Sequence, residues 1–118
     1  MKSEEFIKSI KVVVSQGAIN DVLESLSDPP GRKPNNELVE ISNWYNSLDQ
    51  EGKSFIKKIV EMGVDTSMFG FLCVLDGVRV IESTIDKGNF ELYYAKGKST
   101  TLLNDPQEEY LHDIYNAL

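Results

Sequence analysis

The strongest constraint on this chain is the spacing of its apolar side chains. Over most of the sequence they recur every three or four residues, which places them on one face of an α-helix. Gly17 and Gly63 stand where two of these stripes end, so we expect each to stop a helix. The spacing predicts helices over residues 3–16, 18–26, 36–46, 47–62 and 105–117. Asn35 or Asn36, Ser47 and Asp105 are the expected N-terminal caps of the last three of these helices.

A different pattern occupies residues 90–103. Phe90, Leu92 and Tyr94 alternate with more polar neighbours, as in a half-buried strand, and Lys96–Ser99 provides a turn. Because two strands alone are marginal in water, we expect this ribbon to pack on helices, to gain a third strand from Val78–Glu82, or to pair with another copy. The predicted class is α+β: a mostly helical single domain with a small antiparallel β-hairpin and a C-terminal helix.

Residues 65–82 fit two structures. In the favoured one, a helix is capped near Asp65 and ends at Gly77. In the other, a β-hairpin turns at Asp76-Gly77, with strands at 71–75 and 78–82.

The length of the chain and the position of its proline-rich loop bear on domain organisation. A chain of 118 residues is near the usual size of one domain, so we predict a single domain over residues 1–118. Loop 27–36 contains three prolines and a glycine, which disfavour helix. It is predicted to separate an N-terminal helical hairpin from the rest.

Charge constrains the partner. The formal net charge is -7; residues 1–59 carry nine acids and eight bases, and residues 60–118 carry ten acids and four bases. This balance disfavours nucleic acid and anionic membranes, which bind Lys and Arg, and it favours a basic protein partner. No apolar run suggests a leader or a membrane span, so we expect a bacterial, cytoplasmic protein.

Few side chains in the sequence suggest a catalytic, metal-binding or partner-binding site. His112 is the only histidine and Cys73 the only cysteine, so we predict no metal site, no cofactor and no catalytic constellation, and we expect Cys73 to be a buried, inert thiol. A pocket would have as polar groups His112, Asp105 and Asp76. Aromatic and acidic side chains are the candidates for contact with a partner; these are Tyr93, Trp44, Glu108, Glu109 and Asp113.

Part of the second half carries a resemblance. The segments Phe69–Gly77, Leu103–Pro106 and Tyr110–Asp113 resemble small bacterial proteins grouped as a domain of unknown function. Some small acidic proteins of this type are similar to immunity proteins of bacterial toxin systems. The resemblance implies no site residues.

Three functions follow as hypotheses. The first is a non-enzymatic protein-binding module, immunity-like in its sharpest form, whose acidic second half meets a basic partner. The second is an enzyme or small-ligand-binding domain with a pocket near His112, Asp105 and Asp76. The third is a homodimer joined through the ribbon edge.

Overall fold

The computed structural model describes all 118 residues, and its N-terminal part is one uninterrupted helical run. Helix α1 (Ser3–Ile10) continues through a π-helical segment (Lys11–Gln16) into α2 (Gly17–Ser27). The predicted helix stop at Gly17, and with it the N-terminal helical hairpin, is therefore wrong. An isolated glycine costs a helix only about 1 kcal/mol relative to alanine, so the helix passes through it.

The next two helices begin at side-chain caps. The Asn35 side chain accepts a hydrogen bond from the Leu38 amide at the start of α3 (Asn36–Ser47), as predicted for this position. At the start of α4 (Gln50–Leu75), the amide of Gly52 donates to Asp49 Oδ1 at 2.8 Å. Asp49, rather than the predicted Ser47, therefore caps this helix.

Helix α4 is longer than the sequence pattern indicated. It passes the predicted stop at Gly63 and continues to Leu75. The amides of Val78 and Arg79 then donate to the carbonyl of Cys73, and Gly77 adopts a φ of 76°, in the left-handed region that favours glycine. The favoured helical structure of segment 65–75 and its end at Gly77 are thus confirmed, but the predicted cap near Asp65 is wrong because α4 runs through it unbroken. The alternative hairpin and the third strand at Val78–Glu82 are also wrong.

The ribbon is confirmed as a two-stranded antiparallel hairpin. Strand β1 (Tyr93–Lys96) pairs with β2 (Ser99–Leu102), with Tyr93 opposite Leu102. The last helix, α5 (Leu111–Ala117), starts six residues later than the predicted 105. The protein is α+β, as predicted.

The contacts divide the chain into two compact units. The first, here called the hairpin unit, contains Met1–Val14 and Thr66–Leu118; the second, called the helical unit, contains Ser15–Asp65. Loop 27–36 lies inside the helical unit, where it joins α2 to α3, and these two helices pack against each other. It therefore connects two neighbours rather than separating a hairpin from the rest.

The hairpin unit has a clear hydrophobic core. Helices α1 and α5 contact each other, and the end of α4 contributes to the same cluster of buried side chains. Its buried members are Ile7, Leu72, Leu111, Ile114 and Tyr115.

The helical unit buries much less. Ile19 and Tyr45 are its buried hydrophobic residues, together with the hydroxyl residues Ser15 and Ser42. Many of its large apolar side chains face solvent. They are Val22, Ile41, Trp44, Phe55, Ile59 and Met62.

Candidate functional site

The most organised polar cluster of the hairpin unit joins the end of α4 to the start of α5. The Asp76 side chain, only 1% exposed, accepts hydrogen bonds from the backbone amides of Leu111 (3.1 Å) and His112 (2.9 Å). Asp76 Oδ2 also lies 2.6 Å from His112 Nδ1. We call this cluster the Asp76–His112 joint.

The joint caps a helix with a residue from elsewhere in the chain. The first amides of α5 have no acceptor within their own helix, and a carboxylate there also interacts favourably with the helix dipole. The sequence assigned this role to Asp105, whose Oδ1 instead accepts from the amide of Gln107. Asp76, which lies 35 residues before Leu111, provides the cap.

Two aromatic rings pack against the His112 ring. Phe69 meets it edge-on and Tyr110 stacks on it, with ring centroids 5.5 and 5.3 Å away. Since an ionised carboxylate only accepts, we assign a proton to Nδ1. The other nitrogen, Nε2, lies 3.4 Å from Asp113 Oδ1, whose side chain is largely exposed.

A second anchor was missed by sequence reasoning. The Asn104 side chain is buried; its Nδ2 donates to the carbonyls of Leu75 and Phe90, and its Oδ1 accepts from the amide of Leu92. It thereby fixes the end of α4 to the segment that leads into β1. In the sequence, the residues before Pro106 suggested only the start of a helix. No local signal indicates that Asn104 instead bonds to segments far away in the chain.

Two surface hollows lie in the hairpin unit. The first, of about 320 Å³, has walls of mixed charge. Its charged residues are Asp76, Arg79, Glu82, Lys87 and Glu91. The second, of about 530 Å³, lies among the start of α1, strand β2 and segment 105–109. Four carboxylates line it, from Glu4, Asp105, Glu108 and Glu109, beside the single ammonium group of Lys2. We call it the acidic hollow.

The three residues of the predicted pocket do not converge. Asp76 and His112 meet in the joint, whereas Asp105 lines the acidic hollow. His112 lines neither hollow. The trio therefore divides between a capping cluster and a separate surface depression.

The predicted partner-binding residues also occupy different places. Glu108 and Glu109 line the acidic hollow, and Asp113 lies beside His112. Trp44 belongs to the helical unit and is 53% exposed, while its neighbour Tyr45 is buried. Tyr93 is exposed on β1, where its hydroxyl donates to Glu91 at 3.0 Å. This bond, together with the negative charge of Glu91, raises the pKa of Tyr93.

Cys73 is buried, as predicted. Burial raises the pKa of its thiol, an effect that the charge of Arg79 opposes in part. A neutral thiol is a weak nucleophile, so this environment suits a packing residue. No three His, Cys, Asp or Glu side chains are grouped closely enough to hold a metal ion.

Folding redistributes the charge that the sequence concentrates in its second half. The hairpin unit has ten acidic and seven basic residues, because Lys2, Lys8 and Lys11 belong to it, and the helical unit has nine and five. The two units therefore have similar net charge. The acidic hollow is a local feature rather than part of a uniformly negative face.

Comparisons with known proteins add no relative. No protein-family model, curated protein or solved structure matched the chain. None of the helices combines the length and the apolar character that a membrane crossing requires.

Proposed function

We propose that this chain is a protein-binding module that receives a basic segment of its partner in the acidic hollow. The observation that carries the proposal is the wall of that hollow, where four carboxylates face one ammonium group. Opposite charge at an interface accelerates encounter and selects among partners. A lysine or arginine side chain of a partner has the complementary charge.

Two of the four carboxylates are available for such a contact. Glu108 and Glu109 are exposed and make no ion pair within the chain. Glu4 is already bridged to Lys8 at 2.9 Å, and Asp105 accepts from the backbone of Gln107. Glu108 and Glu109 are therefore expected to contribute most to the affinity, and Glu4 and Asp105 to shape the wall.

The size of the hollow supports the same class of ligand. A volume of about 530 Å³ holds a complete long side chain and leaves room for neighbouring backbone. Thr100 and Thr101 of β2 add hydroxyl groups to the wall, which suit the amides of an extended peptide. An immunity-like role, with a bacterial toxin as the basic partner and the cytoplasm as the location, is the sharpest form of this proposal.

A direct binding assay tests the proposal. The probe is a fluorescent ten-residue peptide of alternating lysine and serine, and a peptide of the same length with acetylated lysines is the control. We expect the charged peptide alone to bind, with an affinity that falls as salt is raised. Equal binding of both peptides, or of neither, would contradict the proposal.

Matched variants locate the contact. The double substitution Glu108→Gln with Glu109→Gln should weaken binding of the charged peptide by about tenfold, the loss expected for two charge contacts at a rim. Glu37→Gln with Glu40→Gln removes the same charge from α3 in the helical unit and should leave the affinity within about twofold. An equal loss in both variants would indicate attraction by net charge alone and would contradict the assignment to the hollow.

The alternative of an enzyme or small-ligand site receives less support from the geometry. Both oxygens of Asp76 already accept hydrogen bonds from backbone amides. The other ring nitrogen of His112, Nε2, lies 3.4 Å from the carboxylate of Asp113, which is not a group that it could activate as a nucleophile in the way it could a hydroxyl or a thiol. A histidine held by a buried carboxylate resembles a general base, but here it accounts for the capping of α5 without a reaction.

A further inference from the structure

The outer edge of β2 carries unpaired backbone groups. In an antiparallel hairpin, opposite residues alternate between pairs that exchange hydrogen bonds and pairs that do not. The amide of Leu103 donates to the carbonyl of Leu92 at 2.8 Å, so every second residue back from it along β2 also bonds to β1. The amides and carbonyls of Thr100 and Leu102 therefore point away from β1, and they make no hydrogen bond within the chain. Such an edge is a template for a further strand.

The acidic hollow lies along this edge. Three consecutive residues of β2, Thr100–Leu102, line it, and no residue of β1 does. Because successive side chains of a strand point to opposite faces, a hollow on one face of the ribbon would touch alternate residues of both strands. Contact with consecutive residues of one strand places the hollow beside the edge. The start of α1 forms another wall, which Ser3 fixes to the end of β2 by donating from its Oγ to the carbonyl of Leu103 at 2.6 Å.

We propose that the basic segment of the partner binds as an extended strand, antiparallel to β2, and becomes the third strand of the ribbon. This inference rests on the proposed function, because the carboxylates of the hollow select the segment and the edge of β2 fixes its backbone. Addition of a strand to an exposed edge gains affinity from main-chain hydrogen bonds and specificity from alternate side chains. Antiparallel pairing is the more stable form per residue.

The charges disfavour a second copy of this chain at the edge. Two-fold pairing of two β2 strands would bring the carboxylates of both hollows together. A strand that carries lysine or arginine instead meets Glu108 and Glu109 with opposite charge while its backbone pairs. Side chains alternate along a strand, so basic residues at every second position all lie on one face. We therefore expect a partner segment in which basic residues alternate with small or polar ones.

Amide hydrogen exchange, followed by nuclear magnetic resonance, tests the contact without any substitution. With the alternating lysine and serine peptide at saturation, exchange of the Thr100 and Leu102 amides should slow by about tenfold or more. Tyr93 and Ala95 are the internal controls, because the same register points their amides outward from β1, and their rates should not change. Protection of both edges, or of neither, would contradict the proposal. Protection of Thr100 and Leu102 without peptide would indicate a second copy at the edge and would also overturn it.

Methylation of the peptide backbone tests the strand geometry from the side of the ligand. In an added strand, alternate amides face β2, so these amides belong either to the lysines or to the serines. N-methylation of three amides of the set that faces β2 should weaken binding by about tenfold or more, and methylation of three amides of the other set should change it by less than about threefold. Equal effects of the two sets would overturn strand addition.

Proline variants locate the edge on the protein. Thr100→Pro removes an amide that points away from β1, a position at which an edge strand tolerates proline, and it should weaken peptide binding by about tenfold. Ala95→Pro makes the same change on the outer edge of β1 and should leave the affinity within about twofold. Circular dichroism checks that both variants fold, and equal losses of affinity would contradict the assignment to β2.

These results are separable from a failure of the proposed function. If the charged peptide binds through Glu108 and Glu109 but N-methylation and amide exchange show no preference for one edge, strand addition is wrong and the proposed function is retained. If the charged peptide does not bind, the proposed function fails as well.

Discussion

The hairpin unit and the helical unit use similar apolar patterns with different results. In the hairpin unit, side chains from α1, the end of α4 and α5 meet in one buried cluster. In the helical unit, the stripes of α3 and α4 leave Trp44 and Phe55 more than half exposed. The difference lies in how many elements converge: a stripe forms a core only where another element covers it.

Polar anchors differ in the same way. Asp76 and Asn104 each take part in three hydrogen bonds within the hairpin unit. Every buried side-chain nitrogen or oxygen of the protein has a hydrogen-bond partner. In the helical unit, the Asn46 amide donates to the carbonyl of Ser27 at 3.0 Å, between α3 and the end of α2, at a site exposed to solvent. Buried, fully satisfied polar groups restrict a core to one arrangement.

The largest effect that would test this comparison is a cavity in the hairpin unit. Leu111→Ala removes a side chain that is 0% exposed and should lower the free energy of unfolding by about 3 kcal/mol. Trp44→Ala, in the helical unit, removes a larger but half-exposed side chain and should cost less than about 1 kcal/mol. Urea denaturation measures both, and a reversed order would invalidate the comparison.

The joint provides the next largest effect. Asp76→Asn keeps the shape of the side chain but places an amide group where three donors converge, so we expect a loss of about 2 kcal/mol in stability. Asp105→Asn is the control, because its side chain accepts only from an exposed backbone amide, and it should cost about 0.5 kcal/mol. Equal losses in thermal or urea unfolding would show that the joint has no special role.

Substitution of two glycines of α4 tests the same comparison between the units, with an expected gain in stability rather than a loss. A side chain at Gly63 meets open space, so Gly63→Ala should stabilise the protein by about 0.5–1 kcal/mol through helix propensity. At Gly70 a methyl group meets the guanidinium of Arg79, which must move, so Gly70→Ala should gain less. Urea unfolding of the two variants compares them, and a larger gain at Gly70 would contradict the close packing of Arg79.

The smallest effect concerns Tyr93. Glu91→Gln removes the charge that holds its hydroxyl proton, so the pKa of Tyr93 should fall towards the ordinary value of 10.0. Since the pKa is raised in the folded protein, any stabilisation from this bond is present below pH 10 and is lost as the pH rises through the folded value. Titration followed by tyrosine absorbance measures the change, and an unchanged pKa would exclude the bond to Glu91.

Local signals in the sequence predicted much of the fold. Asn35 before α3, Gly77 after α4 and the alternation around Tyr94 each depend on neighbours only a few residues away, and all three predictions were confirmed. The helix stops at Gly17 and Gly63 were wrong because a glycine ends a helix only where the chain adopts a left-handed conformation, as at Gly77 but not at these two positions.

The candidate site was less accessible to sequence reasoning. His112 and Asp76 were both singled out, but their contact spans 36 residues and no spacing rule connects them. Asp105 was assigned the helix cap because it lies next to the predicted helix, whereas the tertiary structure supplied a different carboxylate. Likewise, a stripe such as Phe55–Met62 predicts an apolar face but does not specify what covers that face.

The cap that Asp76 provides to α5 also sets an order of assembly. Seven residues are too few for a stable isolated helix, and the acceptor for the first amides of α5 is located at the end of another helix. Segment 105–118 alone should therefore remain coil, and it becomes helical only when the chain around residue 76 has already turned. We therefore expect the final helix to form late in folding, after α4 and the turn that follows it.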